Sequence, residues 1–550
     1  MTEYPEQFSF NGIIKIASRT DVPGLNIQRE IFPADDAPVD MIHYLLQNSG
    51  TEPVYLDIRN NHGQKQERGA RGIYLVDMDL NADGKIEILP GKQKVISLMI
   101  QARTADESKR ILDVKAEKYR RLARVAEITG PLQLETGIPV LDTAFYFCKL
   151  RAGESIFRTR GGYMHGPGGE RYYAATWCND QLEYAGPWFA WTGDKLAVEA
   201  SENAYKHYMP FMGPDYQQIP SSIIAEGFDY WEGAGDRGDA AMYAYGASRF
   251  MLTCGDRKKA ESFWPGIEWS LEYCRRHLNE QGVVLSDSDE MENRFESGDA
   301  NLCTSSLYYG ALKSSAALAK EFGQTEKAKL YSEQAEELAR NIEKYFGAEL
   351  HGFKTYRYYA ENTVLRSWIG IPLCMGILDR AEDTVAALYS DYLWFYDGML
   401  CQEGESTYWD RSLLYGLRGA LIAGNVEQTV EKLLFYTEHR LLGDHVPYPI
   451  EAWPEGNKRH LSAESALYCR VITEGILGLE ALSFHSFRVN PRIPSQCQKI
   501  QLRHIRAFGR EFDLLVDRKQ LTVSCNSVVK TYALDTSYGC VVDLLEFSGN

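Results

Sequence analysis

EGFDYWEGAGDRGDAAMYAYG, residues 226–246, sets the pattern by which the chain is read. An acidic, aromatic, glycine-bearing stretch runs directly into a segment with helical apolar periodicity. The same order recurs at ATWCND (175–180), MENRFESGDAN (291–301), YYAENTVLRSW (358–368), GESTYWDR (404–411) and EAWPEGNKRHLSAES (451–465). Between Ile138 and Leu482 the periodicity predicts about twelve helices, starting near 138, 176, 195, 236, 257, 301, 326, 363, 380, 409, 426 and 461. Every second one follows an acidic, aromatic stretch, whereas the others are plainer and amphipathic, as in QTEKAKLYSEQAEELARNIEKYF. Six inner helices with their N-terminal ends at one face and six outer helices are the simplest arrangement. All ten tryptophans lie between Trp177 and Trp453. An aromatic, carboxylate-lined pocket of this kind suits a sugar, whose C–H face stacks on a ring while its hydroxyls meet carboxylates.

The flanks read differently. Residues 1–110 carry IIKIA, MIHYLLQN, VYLDIR, IYLVDMDL, KIEIL and KVISLMIQA, punctuated by Gly, Pro, Asn and Asp, and predict a β-sandwich. DESKRILDVKAEKYRRLARVA, from Asp106 to Ala126, is charged and helical in period and reads as a linker helix. After Phe484 strands return, with FRVNPRIP, KIQLRHIRAFGREFDLLVD, QLTVSC and CVVDLLEF.

The 550 residues are 44% hydrophobic and 25% charged, enough for two or three packed domains. A net charge of -17 argues against a polyanionic partner such as nucleic acid. No apolar run is long enough to span a membrane, and MTEYPEQFSF does not read as a secretion signal. Eleven scattered cysteines suit reduced thiols, so a cytoplasmic location is expected.

Cleaving a glycosidic bond takes an acid to protonate the leaving oxygen and a second carboxylate to activate water or attack C1. Residues 291–306 supply Glu292, Glu296 and Asp299, and residues 451–465 supply Glu451, Glu455 and Glu464. Carboxylates also collect at helix N-termini through capping and the helix dipole. Phe295, Asn301, Trp453 and Asn457 exceed what capping needs, whereas Glu464, two residues after an expected cap at Ser462, has the strongest structural reading. Trp177, Asp180 and Tyr184 share a helical face; Trp188 and Trp191 read as packing, and an inward Asp180 needs a partner. Asp229, Trp231, Glu232, Asp236, Arg237 and Asp239 can fork onto hydroxyls or pair internally, and Trp409, Asp410 and Arg411 present the same choice.

Three motifs are set aside. DLNADGKIE (79–87) begins like a calcium loop, but Pro90 stands where the bidentate Glu is required, so a hairpin turn is expected. MHGPGGERYY lacks the G-K-[ST] of a phosphate loop, and the histidines show no metal spacing.

On these residues the chain resembles the six-hairpin glycosidases, the (α/α)6-barrel group that includes glucoamylases, trehalases and disaccharide phosphorylases. The resemblance covers nearly the whole chain. It implies a multidomain α and β fold: a β-sandwich at 1–110, a linker helix at 111–130, an (α/α)6 barrel at 131–485 and a small C-terminal β appendage at 486–550. TWCND is similar to the group's W-x-R-D run, which implies Asp180 as a sugar ligand, with Asn179 in place of the usual Arg. FESGDANLCTSS is similar to the glucoamylase W-E-E stretch, which favours Glu296 as general acid, and to the trehalase E-S-G-W-D stretch, which favours Asp299. WPEGNKRHLSAESAL is similar to the stretch holding the base of inverting members, which implies Glu455. The resemblance thus implies an inverting, exo-acting glycoside hydrolase acting on an oligosaccharide or glycoside without metal or cofactor. Trp177, Asp180, Trp231, Arg237, Asp239, Trp409, Asp410, Arg411, Trp453 and Glu464 are the expected substrate ligands. The rivals are a cytoplasmic disaccharide phosphorylase of the same fold and a non-catalytic carbohydrate-binding protein.

Overall fold

The computed structural model describes residues 1–69, 72–168, 175–224, 229–453, 461–534 and 538–547. Two compact units divide the chain, Met1–Ile128 and Thr129–Asn550.

The first unit holds β1 (Glu3–Phe10), β2 (Ile14–Thr20), β3 (Leu25–Pro33), β4 (Val39–Asn48), β5 (Val54–Ile58), β6 (His62–Gly69), β7 (Gly72–Leu80), β8 (Gly84–Ile88) and β9 (Gln93–Thr104). Seven form an antiparallel sheet in the order β1-β2-β3-β4-β9-β7-β6, and β5 pairs with β8. Alternation along β3 and β4 turns Leu25, Ile27 and Leu46 onto Val54, Ile86 and Ile88 of the ladder, which makes a second layer. Residues 81–83 therefore cross from the sheet to the ladder; the hairpin expected at DLNADGKIE does not form, because β8 pairs with β5. Helix α1 (Val114–Thr129) begins later than Asp106 because Asp113 caps it, accepting from the Lys115 and Ala116 amides at 2.9 and 3.3 Å. It lies on its own unit, where Arg121 Nε donates to the Gly12 carbonyl at 2.9 Å.

In the second unit, α2 (Pro139–Glu154) precedes a π-helical turn, Cys178–Ala185, that runs into α3 (Gly186–Thr192). There follow α4 (Lys195–Tyr208), α5 (Asp239–Cys254), α6 (Arg257–Arg276), α7 (Leu302–Glu321) and α8 (Thr325–Phe346). A 3-10 turn, Ser367–Gly370, leads into α9 (Ile371–Met375), and α10 (Ala381–Leu388), α11 (Asp410–Ile422) and α12 (Glu427–Tyr436) come next. The last, α13 (Ser462–Arg470), continues into a second π-helical turn, Val471–Ile476.

Alternate helices pack in a cycle: α5 against α3 and the first π turn, α7 against α5, α9 against α7, α11 against α9, α13 against α11, and α13 against the first π turn. The rest flank them, with α2 on α13, α4 on α3, α6 on α5 and α8 on α7. Burial follows the sequence pattern: α5 and α7 are buried almost all round, whereas α8 buries one stripe from Ala328 to Phe346. The C-terminal strands share the helices' core, where the Trp191 ring meets Phe487 and Phe508 edge-on at 6.1 and 5.4 Å. No described helix is long and apolar enough to cross a membrane.

Two close approaches need glycine. A Cβ on Gly419 of α11 would come within 2.6 Å of the Gly370 carbonyl. One on Gly246 of α5 would lie 1.9 Å from the Leu182 carbonyl, which Tyr205 Oη also engages at 2.8 Å. Gly246→Ala should lower the unfolding free energy in urea by about 2–3 kcal/mol, net of the helix propensity it gains. Gly213→Ala, where a Cβ meets nothing within 4 Å, should leave it unchanged or slightly higher. Equal effects would show that α5 does not press on the π turn.

Candidate active site

The N-terminal ends of the cyclically packed helices carry a buried lattice of opposite charges. At its centre Arg411, in the first turn of α11, donates through Nε to Glu464 Oε1 of α13 at 2.8 Å, with Nη2 at 2.6 Å from the same oxygen. Arg411 Nη2 also stands 3.4 Å from Asp180 Oδ1 of the first π turn. Its guanidinium lies 4.9 Å from the Trp409 ring and 5.5 Å from Tyr184. One guanidinium cannot keep two buried carboxylates fully ionised, so burial pushes Glu464 up to about 8 and raises Asp180, against the pull of Arg411. Nearby Glu451 adds to both rises. Glu464 Oε2 and Asp180 Oδ1 have no hydrogen-bond partner among the described residues.

A second guanidinium, Arg237, stands just before α5. It reaches Asp239 Oδ1 at 3.0 Å, Glu292 Oε1 at 3.3 Å and Asn179 Oδ1 at 3.3 Å, and lies 5.3 Å from the Trp177 ring. Trp177 and Trp231 form a tilted pair with centroids 5.2 Å apart, held by neighbouring short strands, Ala175–Trp177 and Asp229–Trp231, that flank Ser222–Ile224.

The loop before α7 supplies the remaining acids. Asp289 accepts from Tyr358 Oη at 2.7 Å, from Arg366 Nη2 at 3.2 Å and from the Met291 amide at 2.7 Å. Glu290 is fully buried; Tyr184 donates to its Oε2, while its Oε1 has no hydrogen-bond partner among the described residues. Burial, helped by Glu183, lifts Glu290 to about 8. Glu292 keeps 32% of its side-chain exposure. Partial burial raises its pKa, Glu451 and Asp180 add to the rise, and Arg237 and Arg411 oppose it. It also sits at φ 56°, followed by Asn293 at φ 63°, a costly left-handed pair outside glycine.

Of the residues expected from the sequence, Trp177, Asp180, Trp231, Arg237, Asp239, Trp409, Arg411 and Glu464 join this lattice. Asp239 is saturated by Arg237 and by Ser221 Oγ at 2.8 Å, and so orients the guanidinium. Asp410 turns away to Arg440 at 3.4 Å and the Ile450 amide at 2.8 Å. Trp453 pairs its strand with Tyr408 and faces the His445 ring at 5.4 Å. Glu296 is exposed and accepts from Tyr359 Oη at 3.1 Å, and Asp299 is exposed on the same loop. Glu455 lies outside the described residues. Ser462 does not cap α13, since its hydroxyl donates to the Gly166 carbonyl at 2.8 Å and Leu461 takes the cap position. Asp289, Glu290 and Arg366 are not singled out by sequence, and the acidic run DSDE at 287–290 is the only signal for the first two; Glu183 stands in the ligand-rich stretch that opens at Ala175.

Residues 180–391 match the family model described as bacterial alpha-L-rhamnosidase six-hairpin glycosidase domain. Over that stretch, less than half of its length, the chain is similar to the six-hairpin glycosidase-like superfamily. Among solved structures, the chain resembles one titled "Sialidase" (TM-score 0.58, 13% identity), covering 94% of its own length and 60% of that chain. It also resembles a putative kojibiose phosphorylase from human microbiome (TM-score 0.57, 10% identity, 98% and 86% covered). A third is a bacterial glucoamylase complexed with acarbose (TM-score 0.57, 12% identity, 86% and 85% covered). No curated protein sequence matches the chain. The matched family and most of these structures are of glycosidase-type enzymes, and the phosphorylase shows that the fold also includes non-hydrolase activities.

The lattice sets a pH dependence. Folded Glu290 holds its proton up to about pH 8, whereas an unfolded Glu releases it near pH 4.3, a roughly typical value. Between those values the folded state binds the extra proton, so this group's contribution to stability falls as pH rises. Glu290→Gln keeps a neutral side chain throughout. Its unfolding free energy in urea should fall less steeply than the wild type's between about pH 5 and about pH 8. Equal slopes would place the proton elsewhere.

Proposed function

We propose that the protein is an inverting, exo-acting glycoside hydrolase, with Glu292 as general acid and Glu451 as general base. In this reading the six cyclically packed helices are the inner ring of an (α/α)6 barrel, and the lattice at their N-terminal ends holds the terminal sugar. The carrying observation is a pair of buried carboxylates, Asp180 and Glu464, that keep oxygens without hydrogen-bond partners among the described residues beside Arg411. Buried acceptors are rarely left so, and hydroxyls of a pyranose would satisfy them. Trp177 and Trp231 supply an aromatic platform next to them.

Two part-exposed carboxylates border this group. Glu292 has the raised pKa that suits a proton donor, from partial burial opposed by Arg237. Glu451 acts on Asp180, Glu292 and Glu464 alike, which supports a position facing the same sugar. Protonation by Glu292 would release the aglycone as Glu451 takes a proton from water attacking C1 on the opposite face. The sequence favoured Glu296 and Glu455 for these roles; Glu292 is preferred to Glu296 because it alone of the two pairs with the buried lattice. The match over residues 180–391 favours terminal α-L-rhamnose as the sugar.

Incubation with aryl α-L-rhamnosides and α-glucosides, without and with phosphate, tests the reaction class. Free sugar released without phosphate is expected, and a sugar 1-phosphate formed only with phosphate would replace hydrolysis by phosphorolysis. On an unactivated glycoside Glu292→Gln should lower kcat by about 10²–10⁴-fold. On a dinitrophenyl glycoside, whose leaving group needs no proton, the loss should be far smaller. Glu451→Gln should fail on both. Glu292→Gln with wild-type rates on both substrates would remove Glu292 from the acid role.

A further inference from the structure

At the C-terminal ends of the same helices lies a second cavity, of about 560 Å³, lined by Arg249, Lys313, Glu474, Glu480, Arg488 and Arg492 among others. The size is that of an ordinary small-ligand site. Its charges do not balance. Glu480 is taken up by Arg488 at 2.7 Å. Glu474 serves three arginines: Arg470 through Nε at 2.7 Å, Arg249 at 3.2 Å and Arg418 at 3.2 Å. Their combined field holds the Glu474 carboxyl well below the usual range despite its burial.

Lys313 lies 5.4 Å from the Tyr309 ring with no carboxylate in ion-pair contact among the described residues, and among these Arg492 donates to the carbonyls of Gly475 and Asn490, at 3.0 and 3.2 Å. Helix C-termini attract cations, which accounts for part of this excess. It does not account for Arg249, which lines the cavity and whose buried Nε has no hydrogen-bond partner among the described residues. A chain of net charge -17 thus gathers Arg249, Lys313, Arg488 and Arg492 against Glu474 and Glu480 around a cavity that also has an apolar side at Trp191, Met375 and Ile422.

We propose that this cavity binds a small organic anion carrying at least two negative charges on a compact body, a phosphate monoester or a polycarboxylate. The anionic head would lie between Arg249 and Lys313, with Arg492 as a third cation, and would accept charge-assisted hydrogen bonds from them. The inference is independent of the reaction proposed above.

Isothermal titration calorimetry on the full chain at low ionic strength tests it, with glucose 6-phosphate and citrate as probes and glucose as the neutral control. Saturable one-site binding of one of the two anions is expected, with glucose silent, and the anion that binds tells phosphate monoester from polycarboxylate. Losing one charge-assisted contact should weaken binding about tenfold or more, in exposed Lys313→Glu and separately in Arg249→Gln. Glu292→Gln should bind as the wild type does. The proposal is overturned if neither anion binds at millimolar concentration. It is equally overturned if Lys313→Glu, with an unchanged melting temperature, binds as tightly as the wild type, or if Glu292→Gln abolishes binding and so moves the anion to the other end of the helices.

Discussion

Everything at the candidate active site depends on how Arg411 is held. Its side chain is buried, and taking a guanidinium out of water costs several kcal/mol unless carboxylates and rings surround it. Glu464, Asp180, Trp409 and Tyr184 provide that shell, and they come from the first π turn, α11 and the strand before it, and α13. These elements are far apart in sequence, so the charge cluster can form only when the cycle of helices has closed. The same crowding of acids around one cation raises the pKa of Glu464 and of Asp180, and leaves each with an oxygen that has no hydrogen-bond partner among the described residues.

The first π turn connects this cluster to a second. A widened turn changes which side chains share a face, and between Cys178 and Ala185 it buries all eight residues, acids included. Asp180 points to Arg411, whereas Glu183 accepts from Tyr415 and lies 3.5 Å from Arg470. Arg470 in turn binds Glu474, the carboxylate at the edge of the second cavity. Two charged tiers, one at each end of the helices, are therefore tied to one short segment. Gly246 lets α5 close onto that segment, and Tyr205 takes up a carbonyl that the turn presents.

Much of the fold was legible in the sequence because helical periodicity is a strong signal. Each of the twelve expected helices has a counterpart starting within four residues of its expected position. Strands β1, β3 and β6 are absent from the expected stretches; β1 and β6 are exposed along most of both faces, which leaves little to read, whereas β3 does alternate, with Leu25 and Ile27 buried. The acidic, aromatic stretches correctly drew attention to Asp180, Arg237, Arg411 and Glu464, which the fold brings together. Position along the chain could not rank the acids of one loop. Glu290, Glu292 and Glu296 lie within seven residues, yet one is fully buried against Tyr184, one is half-buried against Arg237 and one is exposed against Tyr359. Between the first and the last of them the backbone turns left-handed, at Glu292 and Asn293.

The central claim is that Glu292 and Glu451 face one sugar held by Asp180, Glu464 and Arg411. A crystal structure of the protein with a rhamnose-configured iminosugar, a mimic of the charged transition state, tests it most directly. The account predicts ring hydroxyls bound to Asp180 and Glu464, with the carboxyl groups of Glu292 and Glu451 on opposite faces of the ring, roughly 6.5–9.5 Å apart. An inhibitor bound elsewhere, or one seated in the lattice with either glutamate pointing away from the ring, would contradict it.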